Sequence, residues 1–144
     1  MAVLAVLFGS LVFWRLLGAF GVSPFSDWQD SARYALATMF AFTALSRFSP
    51  MRKDLIAMVT PSIPRPHIMV FATGVLEMAA AAGLLFEATR PWAAWGLILL
   101  LVAMFPANVS AARRGVRLRG RPSTPLWIRA PMQVLFICWA WWVR

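Results

Sequence analysis

The sequence predicts an all-α, polytopic transmembrane helix bundle, and three observations carry the prediction: five long apolar runs, basic residues placed mostly between them, and tryptophans gathered at their ends. Of 144 residues, 61% are hydrophobic and only 13% charged, against roughly 45–50% apolar content in a soluble domain. The runs cover residues 2–22, 31–48, 67–87, 92–112 and 126–143. Each is about 18 to 21 residues long, enough to cross ~30 Å of hydrocarbon at ~1.5 Å per residue.

The formal charge of +9 invites a nucleic-acid reading, since basic patches neutralise phosphates, but the position of the charges removes the need for it. With alternating sides, the connections between helices 2 and 3 and between helices 4 and 5 share one face. That face collects Arg47, Arg52, Lys53, Arg65, Arg113, Arg114, Arg117, Arg119, Arg121 and Arg129, whereas the other holds only Arg33, Arg90 and Arg144. Cytoplasmic loops carry the Lys/Arg excess, so the N-terminus is expected inside and the C-terminus outside. Six of eight tryptophans, Trp28, Trp92, Trp95, Trp139, Trp141 and Trp142, fall at the outer ends, where amphipathic indoles settle.

In the first run no basic residue precedes Arg15, so the basic n-region of a signal peptide is missing and a retained helix is expected. Arg15 lies about 20 Å along that helix and either pairs across the bundle or snorkels outward. The first loop, 23–30, is short, polar and acidic. The connection 49–66 opens on Ser49-Pro50, an N-cap and first-turn proline. The following Arg52, Lys53, Asp54, Leu55, Ile56, Met58 and Val59 read as a short surface helix. Pro61, Pro64 and Pro66 then hold an extended strap. This segment is either a connector or a lid over a cytoplasm-facing pocket. Residues 87–91 leave only a tight turn, making helices 3 and 4 antiparallel neighbours. The arginine loop 113–121 sets orientation and touches anionic lipid headgroups.

Polar groups at membrane depth are costly and face a bundle interior or cavity. Glu77 lies about 15 Å beyond His67, with Thr73 a turn earlier on the same face and Gly74 and Ala81 permitting close approach. Without a partner its carboxyl group would favour protonation. On helix 4, Pro106 cannot donate to the carbonyl of Val102 and should bend the helix, and Asn108 adds an amide. Arg129 and Gln133 share a face of helix 5, whose start is set either near Leu126 or at Pro131. Thr73, Glu77, Asn108, Arg129 and Gln133, with Arg47 nearby, are expected to converge in the cytoplasmic half, as a hydrogen-bonded lock or as a ligand site. The single Cys138 permits no internal disulfide and reads as a buried small apolar side chain. With one Cys and one His, the usual zinc ligand sets cannot form within the chain, and His67 offers at most one axial haem ligand.

Four words in the sequence carry a resemblance: Arg52-Lys53-Asp54-Leu55-Ile56-Ala57-Met58-Val59-Thr60-Pro61, Thr73-Gly74-Val75-Leu76-Glu77, Phe105-Pro106-Ala107-Asn108-Val109 and Arg129-Ala130-Pro131-Met132-Gln133. Over about residues 34–142 the chain resembles the DoxX family of small bacterial membrane proteins. It departs from many relatives at Arg47-Phe48, where they have His-Phe, and at Thr60-Pro61, where they have Pro-Pro. The resemblance implies a four-helix core at 31–144, preceded by an extra N-terminal helix and first loop at 1–30, in the bacterial cytoplasmic (inner) membrane. It also implies an association with quinone-linked or oxidative-stress pathways.

The leading functional expectation is an accessory or ligand-holding component of such a redox or stress pathway. It would have no intrinsic cofactor and would bind a quinone or lipid-like molecule beside Glu77. There Glu77 would exchange a proton or accept a hydrogen bond, Asn108 and Gln133 would orient the ligand, and Arg129 would stabilise negative charge. The alternatives are a structural subunit packing against a larger membrane protein complex, and a carrier of a small hydrophobic solute. No nucleophile–base pair, metal cluster or phosphate loop points to an autonomous enzyme. The expected partners are membrane lipids and a larger membrane redox complex or a homo-oligomer, not nucleic acid.

Overall fold

A computed structural model describes residues 2–144 as six helices and one small hairpin: α1 (Ala2–Ala19), α2 (Trp28–Ser46), α3 (Arg52–Met58), α4 (Pro66–Gly83), α5 (Arg90–Arg113), β1 (Arg117–Leu118), β2 (Arg121–Pro122) and α6 (Leu126–Val143). Four of the helices, α1, α4, α5 and α6, are long and apolar enough to cross a membrane.

The long helix outside that group, α2, is the hub: α1, α4 and α6 all pack on it, and α5 closes the ring between α4 and α6. Its sequence suits that place. Ala32, Ala35 and Ala44 are buried and let neighbouring helices approach closely, so that Trp139 Nε1 donates to the Ala32 carbonyl at 3.1 Å and Trp14 Nε1 to Thr38 Oγ1 at 3.2 Å. The polar residues of its first turns are held locally: Arg33 pairs with Asp30 at 2.8 Å and Ser31 Oγ donates to the Phe25 carbonyl at 3.0 Å. Outward faces of the long helices are apolar, with Phe13, Leu16, Phe42, Leu45, Phe71, Leu76, Leu99 and Trp141 exposed. So much contiguous apolar surface is foreign to a water-soluble monomer.

Several boundaries differ from the sequence reading. The first helix stops at Ala19 rather than 22, because Gly21 takes φ 84° and a Schellman cap forms, with Val22 N donating to Leu17 O and Gly21 N to Gly18 O. The second starts at Trp28 rather than 31, led in by Asp27, whose carboxylate accepts from Trp28 N at 2.7 Å. Helix α4 ends at Gly83, not 87; Thr89 Oγ1 donates to the Gly83 carbonyl at 2.8 Å. A Cβ on Gly83 would lie 2.9 Å from the Ala93 Cβ, so this end of the α4–α5 contact depends on the missing side chain. In α6 the start is Leu126, and Pro131 is carried inside the helix. The arginine loop folds back as β1 and β2, joined through Arg119 (φ 51°) and Gly120 (φ 73°). Two successive positive φ angles make this a type I′ turn.

One end of the bundle gathers the loop after α1, the start of α5 and the end of α6: Gln29 Nε2 donates to Trp142 O, and Arg144 lies over Trp95 and Trp141. There Arg15 is satisfied by the Phe25 and Ser26 carbonyls and by the face of Trp28. The opposite end carries α3, the strap and the hairpin. Cys138, expected to be buried, is exposed on α6, because the face of that helix turned to the core is the one with Phe136, Ala140 and Val143.

Candidate functional site

The site begins with an arginine laid across a glycine. Arg47 follows the last turn of α2, and a Cβ on Gly74 would meet its Cδ at 3.0 Å and its Cβ at 3.2 Å. With hydrogen there instead, the guanidinium passes over α4 to the carboxylate one turn further on. Nη2 donates to Glu77 Oε1 at 2.7 Å and Nε to Glu77 Oε2 at 3.0 Å, the two-pronged geometry that suits arginine to a carboxylate. Glu77 is only 2% exposed. Thr43, one turn before Arg47, lies 3.3 Å from Oε2, its one hydroxyl proton shared with the Phe40 carbonyl at 3.0 Å. The carboxylate is therefore partnered on both oxygens.

A second pair joins α5 to α6. Arg129 Nη1 donates to Asn108 Oδ1 at 3.0 Å. Since a guanidinium only donates, this contact fixes the amide orientation and leaves Asn108 Nδ2 as a donor. Gln133 stays apart, its Nε2 sealed and without a partner, and it joins neither pair.

Between the pairs, under α3, lies a cavity of about 190 Å³ whose wall includes Arg47, Thr73, Met104 and Asn108, with Leu55, Met58, Val59 and Ile63 from α3 and the strap. Of the six residues expected to converge, Arg47, Thr73 and Asn108 line this space. Glu77 lies behind Arg47, and Arg129 and Gln133 lie outside the wall. Its polar lining residues are Arg47, Thr60, Thr73 and Asn108. Arg47 Nη1 and Asn108 Nδ2 make no hydrogen bond among the described residues and are not sealed, so both remain as donors. The Thr73 hydroxyl is turned back on its own helix, to Met69 O and Val70 O. Sequence reasoning missed Thr43 and Met104. Thr43 was within reach of it, since four-residue spacing puts it on the face of Arg47; nothing in the sequence marks Met104, whose sulfur lies 3.3 Å from Arg47 Nη2.

The roof is held by Arg114. Its guanidinium donates to Ala57, Met58 and Val59 carbonyls at 3.2, 3.0 and 3.0 Å and to Ser110 Oγ at 3.1 Å. It thereby satisfies the unpaired carbonyls and the negative end of the α3 dipole. Asp54 Oδ2 accepts from Arg119 N of the hairpin at 2.9 Å. Replacing Arg114 by alanine is expected to raise amide exchange across Arg52–Met58 by about tenfold, the loss of one net hydrogen bond, and to leave α4 and α5 unchanged. Hydrogen-exchange mass spectrometry reads both, and unchanged exchange in α3 would show that the roof is held by packing.

Fold and site together define a helical bundle with four helices apolar enough to span a membrane and a small, donor-lined cavity at its arginine-rich end. The chain belongs to the family described as Domain of unknown function (DUF8561), whose model matches residues 36–144; α1 and the first loop fall outside the match. No curated protein and no solved structure matches the chain.

Proposed function

We propose that the chain crosses the bacterial cytoplasmic membrane five times, with its arginine-rich end and N-terminus in the cytoplasm, and holds a neutral, carbonyl-bearing amphiphile such as a quinone or a lipid ester in the cavity under α3. The carrying observation is that hydrogen-bond donors sit in a largely apolar wall. Arg47, the one charged residue of that wall among the described residues, is paired with Glu77 through a 2.7 Å contact. Arg47 Nη1 and Asn108 Nδ2 offer hydrogen bonds that a carbonyl oxygen accepts. The apolar wall of Leu55, Met58, Ile63 and Val70 suits the remainder of such a molecule. In this reading Glu77 is a positioning residue that acts through Arg47. The link to a membrane redox or stress pathway rests on the DoxX resemblance.

Native mass spectrometry of the chain extracted gently from its own membrane is expected to show one neutral small molecule per chain, lost in Asn108→Ala. Retention of that molecule by the variant would remove Asn108 from the site, and a chain without any small molecule would end the proposal. A second reading, a structural subunit of a larger complex, is favoured by the mutual pairing of Arg47 with Glu77 and of Arg129 with Asn108, which ties α2 to α4 and α5 to α6. It predicts a co-purifying polypeptide and no ligand. The topology carries its own test: a reporter fused after Arg144 is expected outside the cytoplasm, and cytoplasmic activity there would refute it.

A further inference from the structure

Next to the cavity, and sharing Thr60 and Pro106 with it, an open groove runs between the strap and the outer side of α5. Its polar lining is Thr60, Ser110, Arg113 and Arg114, and its apolar lining includes Phe105 and Val109. We propose that this groove binds the phosphate of an anionic phospholipid from the leaflet at the arginine-rich end, with an acyl chain lying along Phe105 and Val109. This site adjoins the cavity through Thr60 and Pro106 but does not depend on what the cavity holds.

Three features carry the inference. Phe105, Val109 and Arg113 follow at four-residue spacing and so form one ladder on α5, apolar toward the middle of the helix and ending in a guanidinium at its edge, the polarity of a lipid lying in its leaflet. Arg113 is exposed and makes no hydrogen bond or ion pair among the described residues, whereas its neighbour Arg114 is committed to the α3 carbonyls. Ser110 Oγ accepts from Arg114 Nε at 3.1 Å, which leaves the hydroxyl proton free for a phosphate oxygen. No acidic residue lines the groove. The carbonyl end of α5 would oppose an anion, but Arg114 N, Gly115 N and Val116 N already bond the Ser110, Ala112 and Ala111 carbonyls.

The exposed hairpin arginines Arg117, Arg119 and Arg121 provide the contrast between a built site and diffuse attraction. The full-length chain in neutral detergent would be titrated with phosphatidylglycerol, with phosphatidylcholine as the zwitterionic comparison, and the bound lipid counted by native mass spectrometry. Arg113→Gln is expected to weaken phosphatidylglycerol retention about fivefold, the worth of one basic side chain at a lipid surface. Arg117→Gln and Arg121→Gln should change it little, and Asn108→Ala should leave it intact. Equal losses in all three arginine variants would overturn the site in favour of diffuse charge. Equal retention of phosphatidylcholine would overturn the anionic headgroup, and displacement of the lipid by glycerol phosphate at matching concentration would overturn a lipid source.

Discussion

Glu77→Gln is expected to destabilise the protein by about 3–5 kcal/mol, the cost of leaving one member of a buried ion pair uncompensated. The substitution keeps the shape of the side chain and one acceptor oxygen, so the loss reports charge rather than packing. Arg47 Nε and Nη2 lie 3.0 and 2.7 Å from the carboxylate, and in the variant the guanidinium keeps its charge where burial penalises it. The double variant Arg47→Met, Glu77→Leu is expected to recover most of the loss, because replacing a buried pair by apolar groups of similar volume is often neutral or stabilising. Thermal unfolding in detergent, followed by helical circular dichroism, distinguishes these outcomes. A Glu77→Gln protein as stable as the parent would mean that the pair contributes nothing net. Ligand content measured on the double variant then separates the two functional readings: a lock would tolerate it, whereas a carbonyl-binding cavity would lose its Arg47 donor.

Gly18→Ala is the second substitution with a large expected effect, and it acts through backbone. A Cβ at Gly18 would run into the Phe25 carbonyl, with Ser26 N at 3.0 Å, and neither can rotate away as a side chain tip can. Overpacking of this kind costs about 1–3 kcal/mol and sometimes more. Its consequence is specific: the loop carbonyls of Phe25 and Ser26 that hold Arg15 must shift, loosening α1 from the start of α2. Gly9→Ala and Gly96→Ala meet nothing within 4 Å and are expected to be neutral or to stabilise by up to ~1 kcal/mol through helix propensity. If all three variants unfold alike, the close approach at Gly18 has no energetic meaning.

Some of these features were readable before any coordinates. Leu126 is one of the two starts that the last apolar run allowed, whereas Pro66, expected to end the extended strap, is the first residue of α4, where its missing N–H costs nothing; the expected polar residues at depth include both acceptors that pair with arginine, Glu77 and Asn108. Where the reading failed, the deciding chemistry was local but unmarked by hydropathy. The Schellman turn at Gly21 cuts α1 short, the Thr89 cap closes α4 early, and Arg119-Gly120 turns a presumed loop into a hairpin. Each is a positive φ or a single capping bond, features that run length does not register.

By itself the sequence determined the number and approximate length of the long helices, because the free energy of a long apolar run and the breaking action of Gly and Pro are properties of the chain segment alone. It also determined which end of the bundle is basic, since charge follows the connections. Pairing was decided only by tertiary structure. Arg47 and Glu77 are 30 residues apart, and whether they meet depends on how α2 and α4 are rotated about their axes. An almost uniformly apolar helix such as α5 carries no pattern that fixes rotation. Gln133, chosen on spacing, does not line the cavity, and the short helix α3, legible in the sequence, is fixed over it by Arg114 bonds that no periodicity encodes.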